Sequence, residues 1–134
     1  MREILFRGKR KDNEEWVKGH LGIEVGNQLV IEYCDFDDIL DEYCVKERFI
    51  IPETVGQYTG LCDKNGTRIF EGDIIRDEDG DIMVVKWQSE GAVFVLEPKP
   101  YASIYFYGTL SSRIEVIGNI HDNPELLGRG AGNE

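Results

Sequence analysis

Basic residues are in short supply: 15 lysines and arginines face 26 aspartates and glutamates, leaving a net charge of −11 over 134 residues. A field of that sign repels phosphate backbones and argues against broad, sequence-blind binding of nucleic acid. It suits a basic partner, mimicry of nucleic acid, or simply the solubility that acidic surfaces confer. Cysteine is sparse and odd in number. Cys34, Cys44 and Cys62 stand far apart, with no C-x-x-C pair. Neither a zinc site nor a thioredoxin-like site is indicated, and the three read as small buried hydrophobes in a reducing compartment. Long apolar runs are missing too, so no segment reads as a bilayer-spanning helix. The opening MREILFRGKR turns charged after six residues. No signal-peptide hydrophobic region is read there, and a cytoplasmic location is expected.

The chemistry-bearing motifs are missing as well. His20 and His121 are the only histidines, and no nucleophile elbow G-x-S-x-G accompanies them. Neither G-x-x-x-x-G-K-[ST] nor G-x-G-x-x-G occurs, so the glycines offer no phosphate cradle. Gly56, Gly60, Gly66 and Gly72 sit among turn signals instead. The acidic loop Asp77-Glu78-Asp79-Gly80-Asp81 invites a calcium reading. An EF-hand counted from Asp77 needs glycine and a carboxylate where Ile82 and Gln88 stand, so the match fails and a polar hairpin tip is expected. No catalytic residue, cofactor or metal site is assigned, and the chain is not expected to be an enzyme.

What remains is a pattern of short strands and dense turns. Ile4 to Phe6, Trp16 to Ile23 and Gln28 to Tyr33 read as strands, with Gly26-Asn27 turning the last two into a hairpin. Phe36, Ile39, Leu40, Tyr43 and Cys44 follow helical spacing, so a short helix is expected over 35–47, capped by Asp35. Asp63-Lys64-Asn65-Gly66 and Glu71-Gly72-Asp73 are turns. Ile74 to Arg76 and Ile82 to Trp87 form a hairpin, followed by Val93 to Leu96. Pro98 and Pro100 are expected to break the ladder before Ile104 to Tyr107. A last strand spans Ile114 to Ile120. Asn123-Pro124 starts a helical turn, and the residues from Gly128 onward read as a loose tail.

The fold class is therefore mainly β (α+β). An N-terminal β-hairpin region with short helical segments precedes a small C-terminal barrel, SH3-like or partly open. The organisation reads as a lobe over 1–53, a barrel-like lobe over 54–127 and a tail over 128–134. Aromatics supply the candidate binding surface: Tyr101, Tyr105 and Tyr107 beyond the prolines, with Trp87 and Tyr58 in the same half. Such a stripe binds a peptide or stacks on bases. Alternation instead sends Tyr105 and Tyr107 to one face and Phe106 to the other, which is ordinary core-and-surface usage. The basic cluster Arg7, Lys9, Arg10 and Lys11 reads as a solvated turn.

The run IPETVGQYTGLCDKNGTRIFEGDII, followed by IEVIGNIHDNPELL, resembles the YopX family of phage and prophage proteins. The opening MREILFRGKR is similar to the start of many members. The resemblance implies a phage or prophage origin, a mainly β fold of unusual topology and oligomerisation through helical segments. It implies no reaction. Matching positions such as Pro52, Gly56, Tyr58, Gly60, Asp63, Gly66, Gly72, Asp73, Gly118 and Pro124 are turn and packing types. The expected function is an accessory module in the bacterial host's cytoplasm that binds a host or phage protein. Alternatives are a nucleic-acid-associated protein that uses the second-half aromatics, or an acidic DNA mimic.

Overall fold

The computed structural model describes residues 2–103 and 113–131, and within them the chain is mainly β. Strands and turns alternate as composition demands, because runs rich in Val, Ile, Tyr and Phe are cut by Gly and Asp every few residues. All strand pairings among the described residues are antiparallel, and no closed barrel forms there. The chain divides into two compact units, Met1–Gln57 and Tyr58–Glu134.

The first unit holds β1 (Phe6–Lys9), β2 (Trp16–Glu24), β3 (Gln28–Asp37) and β4 (Glu42–Phe49). They lie in the order β4-β3-β2-β1, with the start of β5 (Gly56–Cys62) beside β1. Gly26 and Asn27, at φ 82° and 61°, turn β2 into β3, which is the left-handed backbone those residue types tolerate. Ile31 and Ile50 are fully buried. A Cβ on Gly8 would run into Ile50, and one on Gly19 would run into the backbone carbonyl of Glu32. Both glycines thus allow strands to approach more closely than any side chain permits. A 3-10 turn, Pro52–Thr54, closes the unit. The Thr54 hydroxyl accepts the Lys9 N–H at 2.9 Å and donates to the Ile51 carbonyl at 2.6 Å.

The helix expected over 35–47 does not exist. Those residues form the end of β3, a turn at 38–41 and most of β4. Asp35 is therefore not a helix cap. The Asp37 carboxylate accepts the Ile39 and Leu40 N–H groups at 2.9 and 3.1 Å and so initiates the turn, and Asp41 closes it at φ 55°. The helical spacing has a different origin. Phe36 and Tyr43 are direct cross-strand partners, while Ile39 and Leu40 sit in the loop between them. A hairpin folded about residue 39 mimics the spacing of a helix.

The second unit contains the rest of β5, β6 (Arg68–Phe70), β7 (Asp73–Asp77), β8 (Ile82–Gln88), β9 (Val93–Glu97), β10 (Lys99–Ser103) and β11 (Ile114–Asn119). Its five-stranded sheet runs β10-β9-β8-β7-β11. Ile69, Ile75, Met83, Val85, Phe94, Leu96 and Ile114 form the core. Pro100 interrupts the ladder as expected, for the β9–β10 pairing shifts register between Lys99 and Ser103. It lies within β10, an edge strand, where a missing N–H is tolerated.

One turn design appears twice in this unit. Asp63 Oδ1 accepts the N–H groups of Asn65 and Thr67, the Asp63 N–H reaches the Thr67 carbonyl, and the Gly66 N–H returns to the Asp63 carbonyl. Asp77 Oδ1 accepts the N–H groups of Asp79 and Asp81, with matching backbone bonds to Asp81 and from Gly80. Gly66 and Gly80 take φ 82° and 85°, the positive φ that this Asp-x-x-Gly turn demands. The two differ in setting. Asp63 is buried, and its Oδ2 accepts the Val116 N–H at 2.9 Å. Asp77 is half-buried.

After β11 the chain enters α1 (Glu125–Ala131). Gly128 to Ala131, expected as loose tail, are helical. Asn123 stands just before the helical turn, as expected. Its side-chain oxygen accepts the Asn119 N–H at 3.2 Å, and Asn119 in turn accepts from His121 and Asp122.

The Asp63 geometry sets an expected stability loss. Asp63→Ala strips three backbone N–H groups of a charged acceptor and should cost about 3 kcal/mol or more. Asp63→Asn, which keeps one acceptor oxygen, should cost less. Denaturant midpoints of the three proteins test the order; an alanine variant as stable as wild type would overturn it.

Candidate interaction surface

One feature of the first unit that packing does not explain is its outer hairpin, although Ile23 and Val25 at the β2–β3 turn are exposed as well. Residue alternation along β4 places Tyr43, Val45, Glu47 and Phe49 on one face and Cys44, Lys46 and Arg48 on the other. Cross-strand register adds Phe36 opposite Tyr43 and Cys34 opposite Val45 to the first face. Phe36 and Tyr43 meet edge to face at 5.1 Å between ring centroids. Large apolar side chains nevertheless stay in water: Ile39 is 94% exposed, Tyr43 73%, Val45 69% and Leu40 58%. Single exposed apolars are ordinary, but a set gathered on one hairpin is a candidate contact surface.

Carboxylates surround this patch. Between residues 32 and 47 there are seven, against one cation, Lys46. Lys46 pairs with Asp35 at 3.5 Å. On the same face Glu32 stands directly opposite Glu47, and His20 opposite Glu32. Like charges directly opposed are unfavourable. Desolvation on the sheet face, with the Glu24 and Glu32 carboxylates, pushes the Glu47 carboxyl above its ordinary range. Lys18, His20, Glu32, Cys34 and Val45 line a shallow hollow beside this row.

The aromatics singled out in the sequence are placed differently. Tyr58, on β5, is 9% exposed and packs on Phe70 at 5.6 Å, with Arg68 over its ring at 5.7 Å. Trp87, on β8, is half-exposed and sets its ring edge to face against Phe94 at 5.0 Å. Tyr101 lies on β10. Tyr105 and Tyr107 lie outside the described residues. The basic cluster is not a simple solvated turn: Arg7 is buried, and Arg7 and Lys9 lie over the Trp16 ring at 4.8 and 5.5 Å. The cysteines are free, and contrary to expectation Cys34 is exposed and the other two half-buried. The loop carboxylates of Asp77, Asp79 and Asp81 cluster, but Asp77 Oδ1 is engaged in the turn that also forms at Asp63. Sequence reasoning missed Phe36, Ile39, Leu40, Tyr43 and Val45 as a surface. The signal available was the period-two order Cys34, Phe36 and Tyr43, Val45 on either side of an aspartate-rich turn.

The Glu47 environment has a testable pH signature. A carboxyl whose folded-state pKa is raised holds its proton more tightly folded than unfolded, so its contribution to stability falls as pH rises through the carboxylate range. Glu47→Gln should therefore melt higher than wild type at neutral pH, with the gain vanishing below the carboxylate range. Thermal melts across pH test this, and a gain that persists in acid would refute it.

A protein from Enterococcus faecalis, EF1440, known from its crystal structure, superposes with a TM-score of 0.59 at 21% identity. The match covers 95% of this chain and 99% of that one, and at that identity it speaks for the fold alone. No curated protein matches the chain. The family model described as YopX protein matches residues 5–128, and the chain belongs to the YopX family.

Proposed function

We propose that this chain is a non-enzymatic interaction module, a phage or prophage accessory protein that binds a host or phage protein in the host cytoplasm. The contact surface is the β3–β4 hairpin. The observation that carries this reading is the exposed set Phe36, Ile39, Leu40, Tyr43 and Val45 on one projecting hairpin. Aromatic and aliphatic anchors of this kind dominate binding energy once a partner excludes water from them. The charge of the hairpin supports a protein partner over nucleic acid. The five-stranded sheet of the second unit is read separately, as a partly open SH3-like barrel.

Site-specific photocrosslinking in the bacterial host tests this. A photoreactive residue at Leu40 should give discrete higher-mass adducts, and the same residue at Asn65 in the second unit's turn should not. Equal or absent adducts at both positions would count against the hairpin.

A further inference from the structure

We infer that the free edge of β4 takes up an extended, lysine- or arginine-bearing segment of a partner polypeptide as an added strand. This deepens the interaction reading above and rests on it. The backbone parity of β4 carries the argument. The Ile50 N–H donates to the Leu29 carbonyl at 3.0 Å, so Leu29 and Ile50 are a hydrogen-bonded pair. Alternation then makes Arg48, Lys46, Cys44 and Glu42 the residues whose amides face β3. Tyr43, Val45, Glu47 and Phe49 turn their N–H and C=O groups away from it. The base of this edge is already covered, because the Phe49 carbonyl accepts the Lys11 N–H at 2.9 Å. The Arg48 guanidinium occupies the Glu47 carbonyl at 3.0 Å. What stays open among the described residues is the run from Tyr43 to the Glu47 N–H, on a strand that ends the sheet.

The outward amides belong to the residues whose side chains form the exposed face. A strand laid along β4 would therefore gain main-chain bonds and bury Tyr43 and Val45 in one step. Charge selects the occupant. The row His20, Glu32, Glu47 ends at the open edge, and the next position outward would lie beside Glu47, with Glu42 flanking the other end. A cation there relieves the Glu32–Glu47 opposition, whereas an anion compounds it. A second copy of this chain brings its own seven carboxylates against one lysine to the contact, which disfavours self-pairing. The partner strand is thus apolar opposite Tyr43 and Val45 and cationic opposite Glu42 and Glu47.

Amide hydrogen exchange on the intact protein tests this with a short valine–threonine peptide flanked by lysines as the probe. Exchange at Tyr43, Val45 and Glu47 should slow by about tenfold or more at saturation. Cys44 and Lys46 should change little, and added salt should weaken the effect. Val45→Pro removes an outward N–H without touching the ladder to β3. It should abolish the protection while its thermal melt stays near that of wild type. No slowing at saturation, or equal slowing by a glutamate-flanked peptide, overturns the inference. So does protection that grows with protein concentration alone, the mark of a second copy. If Val45→Pro still gives the wild-type adducts at Leu40, side-chain docking stands and strand addition falls. If wild type gives no adducts at Leu40, the interaction reading itself falls.

Discussion

The carboxylate of Asp63 is the interaction on which the second unit depends. One oxygen fixes the turn between β5 and β6, and the other holds the Val116 N–H of β11. The Lys64 N–H joins the same place from the backbone, donating to Ile114 at 3.1 Å. An anion this deeply buried is tolerated only because three N–H dipoles converge on it. In return the last strand of the sheet is anchored to a turn far away in sequence. The core of Ile69, Ile75, Met83, Leu96 and Ile114 packs between elements so fixed. Asp73 plays a smaller version of the same part, accepting the Phe70 N–H at 2.7 Å inside the next turn.

Turn chemistry was legible in the sequence because it is local. Asp63 and Gly66, Gly26 and Asn27, and Glu71-Gly72-Asp73 sit where their backbone preferences put them. The strands from Trp16 to Tyr33 and from Ile74 to Leu96 were equally readable from alternation. The β3–β4 hairpin was not. Its apolar residues lie symmetrically about a turn, and such symmetry projects onto a helical wheel as a stripe. Only the partner strand distinguishes the two, and pairing is a tertiary fact. The Gly128–Ala131 segment went astray for a related reason. Glycine weakens helices, yet a packed neighbour can offset the deficit.

The candidate surface was hidden for the same reason as the hairpin. Phe36, Tyr43 and Val45 look like core residues in the sequence, and a helix would have buried them. As a hairpin at the end of a sheet they find no second layer within the described residues of their unit. Glu32 and Glu47 carry a parallel lesson: fifteen residues apart in the chain, they become neighbours only once the register is set. By contrast Tyr58, which looked like a surface ring, is held between Phe70 and Arg68. Aromatic identity alone did not separate the two cases; register did.

The repeated Asp-x-x-Gly turn gives the molecule an internal reference. Residues 63–67 and 77–81 share the same local bonds and the same glycine backbone. They differ in burial, and the first also reaches β11, through a bond from Val116 that spans 53 positions and one from Lys64 to the Ile114 carbonyl. Whatever the two aspartates hold in common is the worth of shaping a loop. Whatever separates them is the worth of reaching across the chain, less the cost of leaving water.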